Sequence, residues 1–353
     1  MTMLKKAVVA TATLAVMASS ASARDQIKIV GSSTVYPFSS YVAEELGATT
    51  SFPTPVVEST GSGGGMKLFC AGNGMDTPDI TNASRPMKEK EFALCQKNGV
   101  TEITGSMIGY DGIAFAQSNE NKDMSLTRRQ LFLAVAAEVP VNGKLVPNPY
   151  KKWSDIDASL PNREIIIYGP PTSSGTRDAF EELVMQKASK KDEVYKTAAM
   201  AKGKKKFKGY HTIRQDGVYV PAGENDNLIV QKLERNKSSF GIFGYSFLAE
   251  NADKIIPAKI DGKIPTPATI ADGSYPVSRS LYFYVKKSHM KQVPAMKAYI
   301  DLFMSEQMIS EDGVLKTIGL IPMAKDLRSK VQASVKGLNN LTADMVKSKV
   351  VVK

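Results

Sequence analysis

Four short loops in this 353-residue chain carry side chains suited to holding an anion. All four contain a hydroxyl side chain, three contain glycine, and three stand directly before a predicted helix. Unpaired backbone N–H groups at a helix start attract anions, glycine lets the backbone approach closely, and Ser or Thr adds a further donor. The four loops are residues 31–34 (GSST), 61–65 (GSGGG), 82–86 (NASRP) and 174–177 (SGTR).

Two of these loops also carry an arginine, Arg85 in one and Arg177 in the other. A guanidinium is permanently charged and presents a planar set of donors that suits a tetrahedral oxyanion. A single loop of this kind is most often an ordinary helix cap. Four such loops in one chain, two of them with arginine, favour a shared anion-binding site.

The motifs of common enzyme classes do not occur in the sequence. No Gly-Lys-Ser/Thr follows the "GSGGGMK" segment, so the nucleotide-binding P-loop pattern is not met. No G-x-S-x-G nucleophile elbow, H-E-x-x-H motif or carboxylate pair stands out. The two histidines, His211 and His289, are too few for a metal site. We therefore predict a binding protein with no catalytic residues, no metal and no cofactor.

Strand-like and helix-like segments alternate along the chain, which predicts an α/β fold. A strand at 27–30 leads into the first loop, and a helical pattern over 38–46 ends at Gly47. A second short strand precedes the glycine-rich loop, and "REIIIYG" precedes the loop at 174–177. In open α/β sheets, ligands bind at the carboxyl ends of strands, where these loops are expected to lie.

Residues 1–23 have the pattern of a secretory signal peptide. Lys5 and Lys6 precede an apolar run over 7–18, and Ala21-Ser22-Ala23 forms a cleavage site. The apolar run is too short to span a membrane comfortably. We expect cleavage after Ala23 and export to a bacterial periplasm.

Charge and cysteine content fit an exported protein. The net charge is +11, and removing Lys5 and Lys6 leaves +9. Export and the lack of a nucleic-acid motif argue against a nucleic-acid partner, whereas attraction of a small anion fits the charge. The lysine-rich segment 202–208 is interpreted as a solvated loop. The two cysteines, Cys70 and Cys95, are compatible with a disulfide in an oxidising compartment, although the sequence gives no distance between them.

Five segments together resemble the phosphate-binding component of bacterial high-affinity phosphate ABC transporters. Their order and spacing match over residues 27–325, and the set is specific although no single segment is. The segments are IKIVGSSTVYPF, STGSGGGMKLF, DITNASRPM, SSGTRDAF and SFGIFGYSFL.

This resemblance implies a type II-like periplasmic binding fold, in which two α/β lobes close over one phosphate by a hinge motion. Two crossover strands, near residues 109–116 and 274–284, would form the hinge. Lobe 1 would comprise 24–110 plus 278–353, and lobe 2 would comprise 111–277. The resemblance also implies which positions donate hydrogen bonds to phosphate, namely Ser33, Thr34, Ser62, Ser174, Gly175 and Thr176.

The sequence departs from the best-known members of this family at two positions that carry charge. Those members have an arginine just before the Ser-Gly-Thr, where this chain has Pro170 and Pro171. They have an aspartate where this chain has Arg85. We expect Arg177 to replace the missing arginine and Arg85 to add a second positive charge to the ligand site.

The aspartate replaced by arginine matters because it accepts the proton of hydrogen phosphate and helps to reject sulfate. Asp111, in "GYDGIAF" at the first crossover, is the best substitute acceptor, and Asp216 is a weaker one. Facing sulfate, which has no proton to donate, such a carboxylate would be an unpaired charge against an oxyanion.

The family resemblance implies a monomer that binds inorganic phosphate in the periplasm and delivers it to the membrane permease subunits of an ABC transporter. Three alternatives remain open from the sequence. The ligand could be another oxyanion, such as sulfate, molybdate or a phosphonate. The protein could be a secreted phosphatase-like enzyme, or it could have an adhesion role at the cell surface.

Overall fold

A computed structural model describes residues 24, 26–172, 174–203, 207–222 and 227–352. The predicted signal peptide, residues 1–23, lies outside this range, as do residues 204–206 of the lysine-rich segment. Among the described residues, the structure contains no helix with the length and apolar character needed to cross a membrane.

The described residues form short strands and helices that alternate along most of the chain. The strands are β1 Lys28–Gly31, β2 Val56–Ser59, β3 Ile80–Ala83, β4 Ile103–Ser118, β5 Ser125–Leu126, β6 Glu138–Val141, β7 Lys144–Pro147, β8 Ile167–Gly169, β9 Tyr219–Pro221, β10 Phe240–Gly244, β11 Ile255–Pro257, β12 Lys259–Ile260 and β13 Ser278–Lys286. The α-helices are α1 Tyr36–Thr49, α2 Gly61–Phe69, α3 Glu89–Lys97, α4 Arg128–Val135, α5 Trp153–Ile156, α6 Gly175–Phe180, α7 Lys187–Ser189, α8 Glu193–Lys202, α9 Asn227–Arg235, α10 Tyr245–Glu250, α11 Pro267–Ala271, α12 Ala295–Phe303, α13 Glu306–Ile309, α14 Val314–Thr317, α15 Lys325–Lys336 and α16 Ala343–Lys347. A π-helix, Glu181–Gln186, lies between α6 and α7, and a 3₁₀-helix, Lys287–His289, follows β13.

Nine of these strands form one mixed sheet with the order β2-β1-β3-β13-β4-β10-β8-β9, and β11 pairs with β4 outside this path. We call β2, β1, β3, β13 and the first part of β4 the first half-sheet. The end of β4 together with β10, β8, β9 and β11 is the second half-sheet. Each half contains parallel pairs, β1 with β2 and β3 in the first and β8 with β9 and β10 in the second. The α/β class predicted from the sequence is confirmed.

The two half-sheets are joined through the long strand β4. Its residues Ile103 to Gly112 pair antiparallel with β13, and Ile113 to Gln117 pair with β10. The partner of β4 therefore changes between Gly112 and Ile113. The division into lobes at residues 110/111 and 277/278 stays a prediction, and this change of partner lies beside it.

Each half of the sheet has its own aromatic packing. In the first, the ring of Phe283 stacks on Phe303 with centroids 5.3 Å apart. In the second, Phe115 stacks on Phe240 at 4.6 Å, and Trp153 meets Phe240 edge-on at 5.2 Å. All of these rings are almost fully buried, so they hold the strand ends that carry the polar loops in fixed positions.

A disulfide links the two cysteines, Cys70 and Cys95, as the sequence suggested. Cys70 lies at the end of α2, and Cys95 lies within α3, 25 residues later. Closing a loop of this length in the unfolded chain stabilises the fold by about 3 kcal/mol. The bridge fixes α2, whose first turn is the glycine-rich loop.

Candidate anion-binding site

The first polar loop lies between β1 and α1 and is held by its own backbone. The Ser32 N–H donates to the Asn82 carbonyl at 3.0 Å, which ties the loop to the end of β3. The Ser32 hydroxyl accepts from the Thr34 N–H at 3.2 Å. Ser32 and Thr34 are both buried, while Ser33 is half-buried. The loop therefore presents Ser33 and Thr34 at the carboxyl end of β1, as the α/β pattern predicted.

The glycine-rich loop forms the first turn of α2 and packs directly on the sheet. A Cβ at Gly65 would lie 2.5 Å from the Gly31 Cα and 2.6 Å from the Thr81 hydroxyl oxygen, so only glycine permits this approach. The close packing brings Ser62 to the end of β3, where its hydroxyl accepts from the Ser84 N–H at 3.0 Å. The hydroxyl oxygens of Ser62 and Ser84 are 3.1 Å apart.

The loop at 174–177 comes from the second half-sheet and touches the first loop. The Ser174 hydroxyl caps α6 by accepting from the Thr176 N–H at 3.2 Å. A Cβ at Gly175 would lie 2.6 Å from the Ser33 carbonyl oxygen, so the two loops are in direct contact. The Ser33 hydroxyl donates across this contact to Asp178 at 2.6 Å, and the Thr34 hydroxyl lies 3.4 Å from the Gly175 carbonyl oxygen.

An arginine of β13 with a buried side chain, Arg279, joins the first loop to the loop at 82–86, and the sequence analysis did not identify it. Its side chain is 7% exposed. The guanidinium donates to the Ser84 hydroxyl at 3.0 Å and to the Thr34 hydroxyl. It also forms a 3.0 Å ion pair with Glu182 of the π-helix. A charged residue within the apolar strand "YPVSRSLYFYV", at a predicted crossover, was the signal that could have found it.

Asp111 lies beside Arg279 because the two residues are paired across β4 and β13. The Asp111 Oδ2 atom is 3.5 Å from the Arg279 Nε atom, and the carboxyl side chain is 13% exposed. Burial raises the pKa of Asp111, and the Arg279 charge partly opposes that rise. Within the part of the chain that the structure describes, Asp111 Oδ2 and Arg279 Nε have no hydrogen-bond partner. The two atoms face each other as an ion pair that falls short of hydrogen-bond geometry.

The two arginines predicted from the loops are held by other carboxylates. Arg85 forms a two-pronged ion pair with Glu91, at 2.7 and 2.8 Å, and that arginine lowers the pKa of Glu91 against the effect of burial. Arg177 donates to Glu181 at 2.7 Å and to the Pro170 carbonyl at 3.3 Å, and its guanidinium covers the Tyr219 ring. Arg279, rather than Arg177, supplies the charge that contacts the loop hydroxyls.

Six of the nine predicted site residues line one cavity of about 240 Å³ between the two half-sheets. They are Ser33, Thr34, Asp111, Ser174, Gly175 and Thr176. Ser62 does not line this cavity; its hydroxyl contacts Ser84, to which Arg279 donates. Arg177 does not line the cavity, and Arg85 lines a neighbouring one. We call Thr34, Ser62, Ser84, Arg279 and Asp111, with the loop at 174–176, the anion cradle.

The other ionisable residues singled out from the sequence lie elsewhere. Asp216 pairs with Arg214 and Lys151, and its pKa is lowered chiefly by the hydrogen bonds from Arg214. His289 is buried against Asp79, and His211 lies 3.4 Å from Glu181. Among the described residues, the structure contains no group of three or more His, Cys, Asp or Glu side chains that could hold a metal ion.

Two half-sheets joined by crossover strands, with an anion cradle between them, define the class of ligand-binding receptors that close over a small molecule. A family model described as "PBP superfamily domain" matches residues 17–307 of the chain. The chain is 30% identical to the phosphate-binding protein PstS of Staphylococcus haemolyticus, over 80% of its own length and 78% of that protein. The chain therefore belongs to the PBP superfamily, in the family of these PstS proteins.

Two further similarities support this membership. The chain is 27% identical to the protein SphX of Synechococcus elongatus, over 83% of its own length and 76% of that protein. A crystal structure of a possible phosphate-binding protein from Planctomyces limnophilus superposes with a TM-score of 0.70 at 31% identity. That match covers 89% of this chain and 99% of the other. The two-lobed periplasmic binding fold predicted from the sequence is confirmed.

Proposed function

We propose that this protein binds inorganic phosphate in the anion cradle. The observation that carries the proposal is the environment of the buried Arg279 guanidinium. The guanidinium donates to hydroxyls of two separate loops and lies beside the buried Asp111 carboxyl. The PstS relative and the protein from Planctomyces limnophilus, both described as phosphate-binding, support the same ligand.

The cradle offers the chemistry that a protonated oxyanion requires. Arg279 supplies a permanent charge. The hydroxyls of Thr34, Ser62, Ser174 and Thr176, with the Gly175 backbone and the neighbouring Ser33 hydroxyl, would supply donors to phosphate oxygens. Asp111 Oδ2, which forms no hydrogen bond among the described residues and lies 3.5 Å from the Arg279 Nε atom, would accept the proton of hydrogen phosphate. Sulfate has no such proton at neutral pH, so the carboxylate would repel it. We expect Arg85 and Arg177 to act from outside the first contact layer, through Glu91 and Glu181.

Calorimetric titration of the purified protein tests the ligand. The protein is first dialysed under mildly denaturing conditions and then refolded. This step removes any phosphate that is already bound to the site. We expect one phosphate per chain with micromolar or tighter affinity, and little heat with sulfate. Binding of sulfate, molybdate or a phosphonate in the absence of phosphate binding would replace phosphate as the ligand.

We further propose that the protein is a periplasmic monomer that delivers phosphate to the permease subunits of an ABC transporter, and that it is not an enzyme. The names of similar proteins support the transport role, among them the solved structure described as an ABC-type phosphate transport receptor from Vibrio cholerae. Phosphate uptake by a receptor-deficient bacterium that expresses this chain with its transporter would test delivery. The non-enzymatic assignment would be contradicted if the protein released phosphate from a chromogenic monoester and an Asp111→Asn variant did not.

A further inference from the structure

An ion pair between Glu182 and Arg279 joins the two half-sheets beside the anion cradle. The Glu182 Oε2 atom lies 3.0 Å from a terminal nitrogen of Arg279. Glu182 belongs to the π-helix that follows α6, on the side of the second half-sheet, and Arg279 belongs to β13 in the first. Both residues line a cavity of about 450 Å³, and neither lines the cavity of about 240 Å³ that the cradle loops line. The pair therefore lies outside the space proposed for the ligand.

The π-helix holds Glu182 at a fixed position on the second half of the molecule. Two residues of this helix, Val184 and Met185, are fully buried in the hydrophobic core. Glu181, next to Glu182 in the sequence, pairs with Arg177 of α6 at 2.7 Å, within the same stretch of chain. Consecutive carboxylates thus reach different arginines, one in the same half of the molecule and one in the opposite half.

Arg279 connects this ion pair to the anion cradle. The nitrogen that contacts Glu182 also donates to the Ser84 hydroxyl at 3.0 Å, and the other terminal nitrogen donates to the Thr34 hydroxyl. The Nε atom lies 3.5 Å from Asp111 Oδ2. Any movement of Glu182 relative to β13 would therefore act on a guanidinium that binds two hydroxyls of the cradle.

The charges around Glu182 also favour contact between the two halves. Lys88, which stands before α3, lines the same cavity as Glu182. Burial and the Arg85 charge lower the pKa of Lys88, and the Glu182 charge is one of those that oppose this shift. The Arg279 side chain is 7% exposed and the Glu182 side chain is 46% exposed, so salt should weaken the attraction without abolishing it.

We propose that Glu182 is a latch between the two half-sheets, whose ion pair with Arg279 stabilises their closed arrangement and slows the release of phosphate. This inference rests on the proposed phosphate site. Because the pair lies outside the cradle cavity, it can persist while ligand is bound. A contact that is lost when the half-sheets separate increases the population of the closed form and with it the ligand affinity. Glu182 acts through Arg279 and is a positioning residue.

A latch and a direct charge effect predict opposite changes when the Glu182 charge is removed. A carboxylate near a bound anion repels it, so the loss of that charge alone would slow the release of phosphate. Loss of the latch favours the open arrangement and would speed release. The direction of the change in the release rate therefore separates the two effects.

Stopped-flow measurement of phosphate release tests the latch, with an excess of a fluorescent phosphate sensor to capture the released ligand. In Glu182→Gln, which keeps the shape of the side chain and removes its charge, release should be about threefold to fivefold faster than in the wild type. The association rate should change by less than about twofold, since most effects of such substitutions are on dissociation. The difference in release should shrink at high ionic strength. Circular dichroism checks that the variant is folded.

Glu234→Gln is the matched control, because it removes the same charge from a 3.0 Å ion pair with Lys254 on the side of the second half-sheet. Release should be unchanged in this variant. Unchanged or slower release in Glu182→Gln, or equal acceleration in both variants, would overturn the latch and leave the proposed function intact. Slower release would show that Glu182 competes with phosphate for the Arg279 charge. Absence of phosphate binding by the wild-type protein would instead overturn the proposed function and, with it, this inference.

Discussion

At the scale of single residues, the charge of the site depends on which side chains each arginine contacts. Arg85 and Arg177 lie in loops that resemble anion-binding loops, yet Glu91 and Glu181 hold them. Arg279 lies within a strand, and its donors reach hydroxyls of the cradle. A carboxylate close in sequence can neutralise an arginine that stands in a suggestive motif. The charge available to a ligand is therefore a property of the folded arrangement.

Replacing Arg279 should weaken phosphate binding more than replacing Arg177 does. The Arg279→Ala variant removes charge-assisted hydrogen bonds worth about 1.5–3 kcal/mol each, so affinity should fall roughly tenfold to a hundredfold. Calorimetry at neutral pH measures the change. Arg177→Ala, in the second half-sheet, is the matched comparison and should have the smaller effect. A larger loss of phosphate affinity in Arg177→Ala than in Arg279→Ala would show that Arg177, in the loop at 174–177, supplies the main charge.

Asp111 should set the preference for phosphate over sulfate in a pH-dependent way. Its carboxyl accepts a proton from the ligand only while it is ionised, and burial raises its pKa. As the pH falls toward that raised pKa, Asp111 becomes protonated and the preference for phosphate should decline. The Asp111→Asn variant should show a low preference for phosphate over sulfate at every pH. Competition titrations between pH 5 and 8 measure the ratio, and an unchanged ratio in Asp111→Asn would place the acceptor at another residue.

At the scale of elements, loops of the two half-sheets contact each other at the anion cradle. The first turns of α2 and α6 and the loop before α1 all reach the cradle. We expect the contacts from Ser33 to Asp178 and from Thr34 to Gly175 to open when a ligand enters. The π-helix that follows α6 directs Glu181 toward Arg177 and Glu182 toward Arg279, in keeping with the frequent occurrence of such segments at functional sites.

A methyl group at Gly175 should hold these loops apart. In Gly175→Ala the added Cβ would lie 2.6 Å from the Ser33 carbonyl oxygen, so the loop contact cannot form as it is. Phosphate affinity should fall about tenfold or more, as a small misplacement of binding groups is costly, while the melting temperature without ligand changes little. Gly72→Ala is the control, because a Cβ there meets no atom within 4 Å. Equal affinities in the two variants would show that this contact is not needed for binding.

At the scale of the whole molecule, the predicted hinge lies where β4 exchanges β13 for β10 as its partner. Asp111 and Arg279 are paired one residue before this exchange, so the charged pair at the site belongs to the hinge strands themselves. If a ligand contacts this pair, its binding would be coupled to the relative position of the two half-sheets.

Phosphate should therefore make the molecule more compact. Small-angle X-ray scattering of the phosphate-free protein is expected to give a larger radius of gyration than scattering at saturating phosphate, since the loop contacts at Ser33 and Gly175 open in the free form. The Gly175→Ala variant should remain closer to the open value. An identical radius with and without phosphate, in a sample shown by calorimetry to bind, would contradict a hinge between Gly112 and Ile113.

The sequence by itself determined the local features of this protein. Residue types and their spacing predicted the polar loops at strand ends and the alternation of strands and helices, and the family resemblance added six residues that line one cavity. Such features follow from neighbouring residues, because helix caps, glycine turns and strand patterns are short-range. The possible link between Cys70 and Cys95 was also visible, although its formation required their distance.

Only the tertiary structure decided which charges meet. Arg279 and Asp111 are far apart in sequence and are brought together by the antiparallel register of β4 and β13. The same folding paired Arg85 with Glu91 and Arg177 with Glu181, so the charges of both motif arginines are already partnered. Electrostatic partnership depends on distance and burial rather than on residue type, and strand register fixes both.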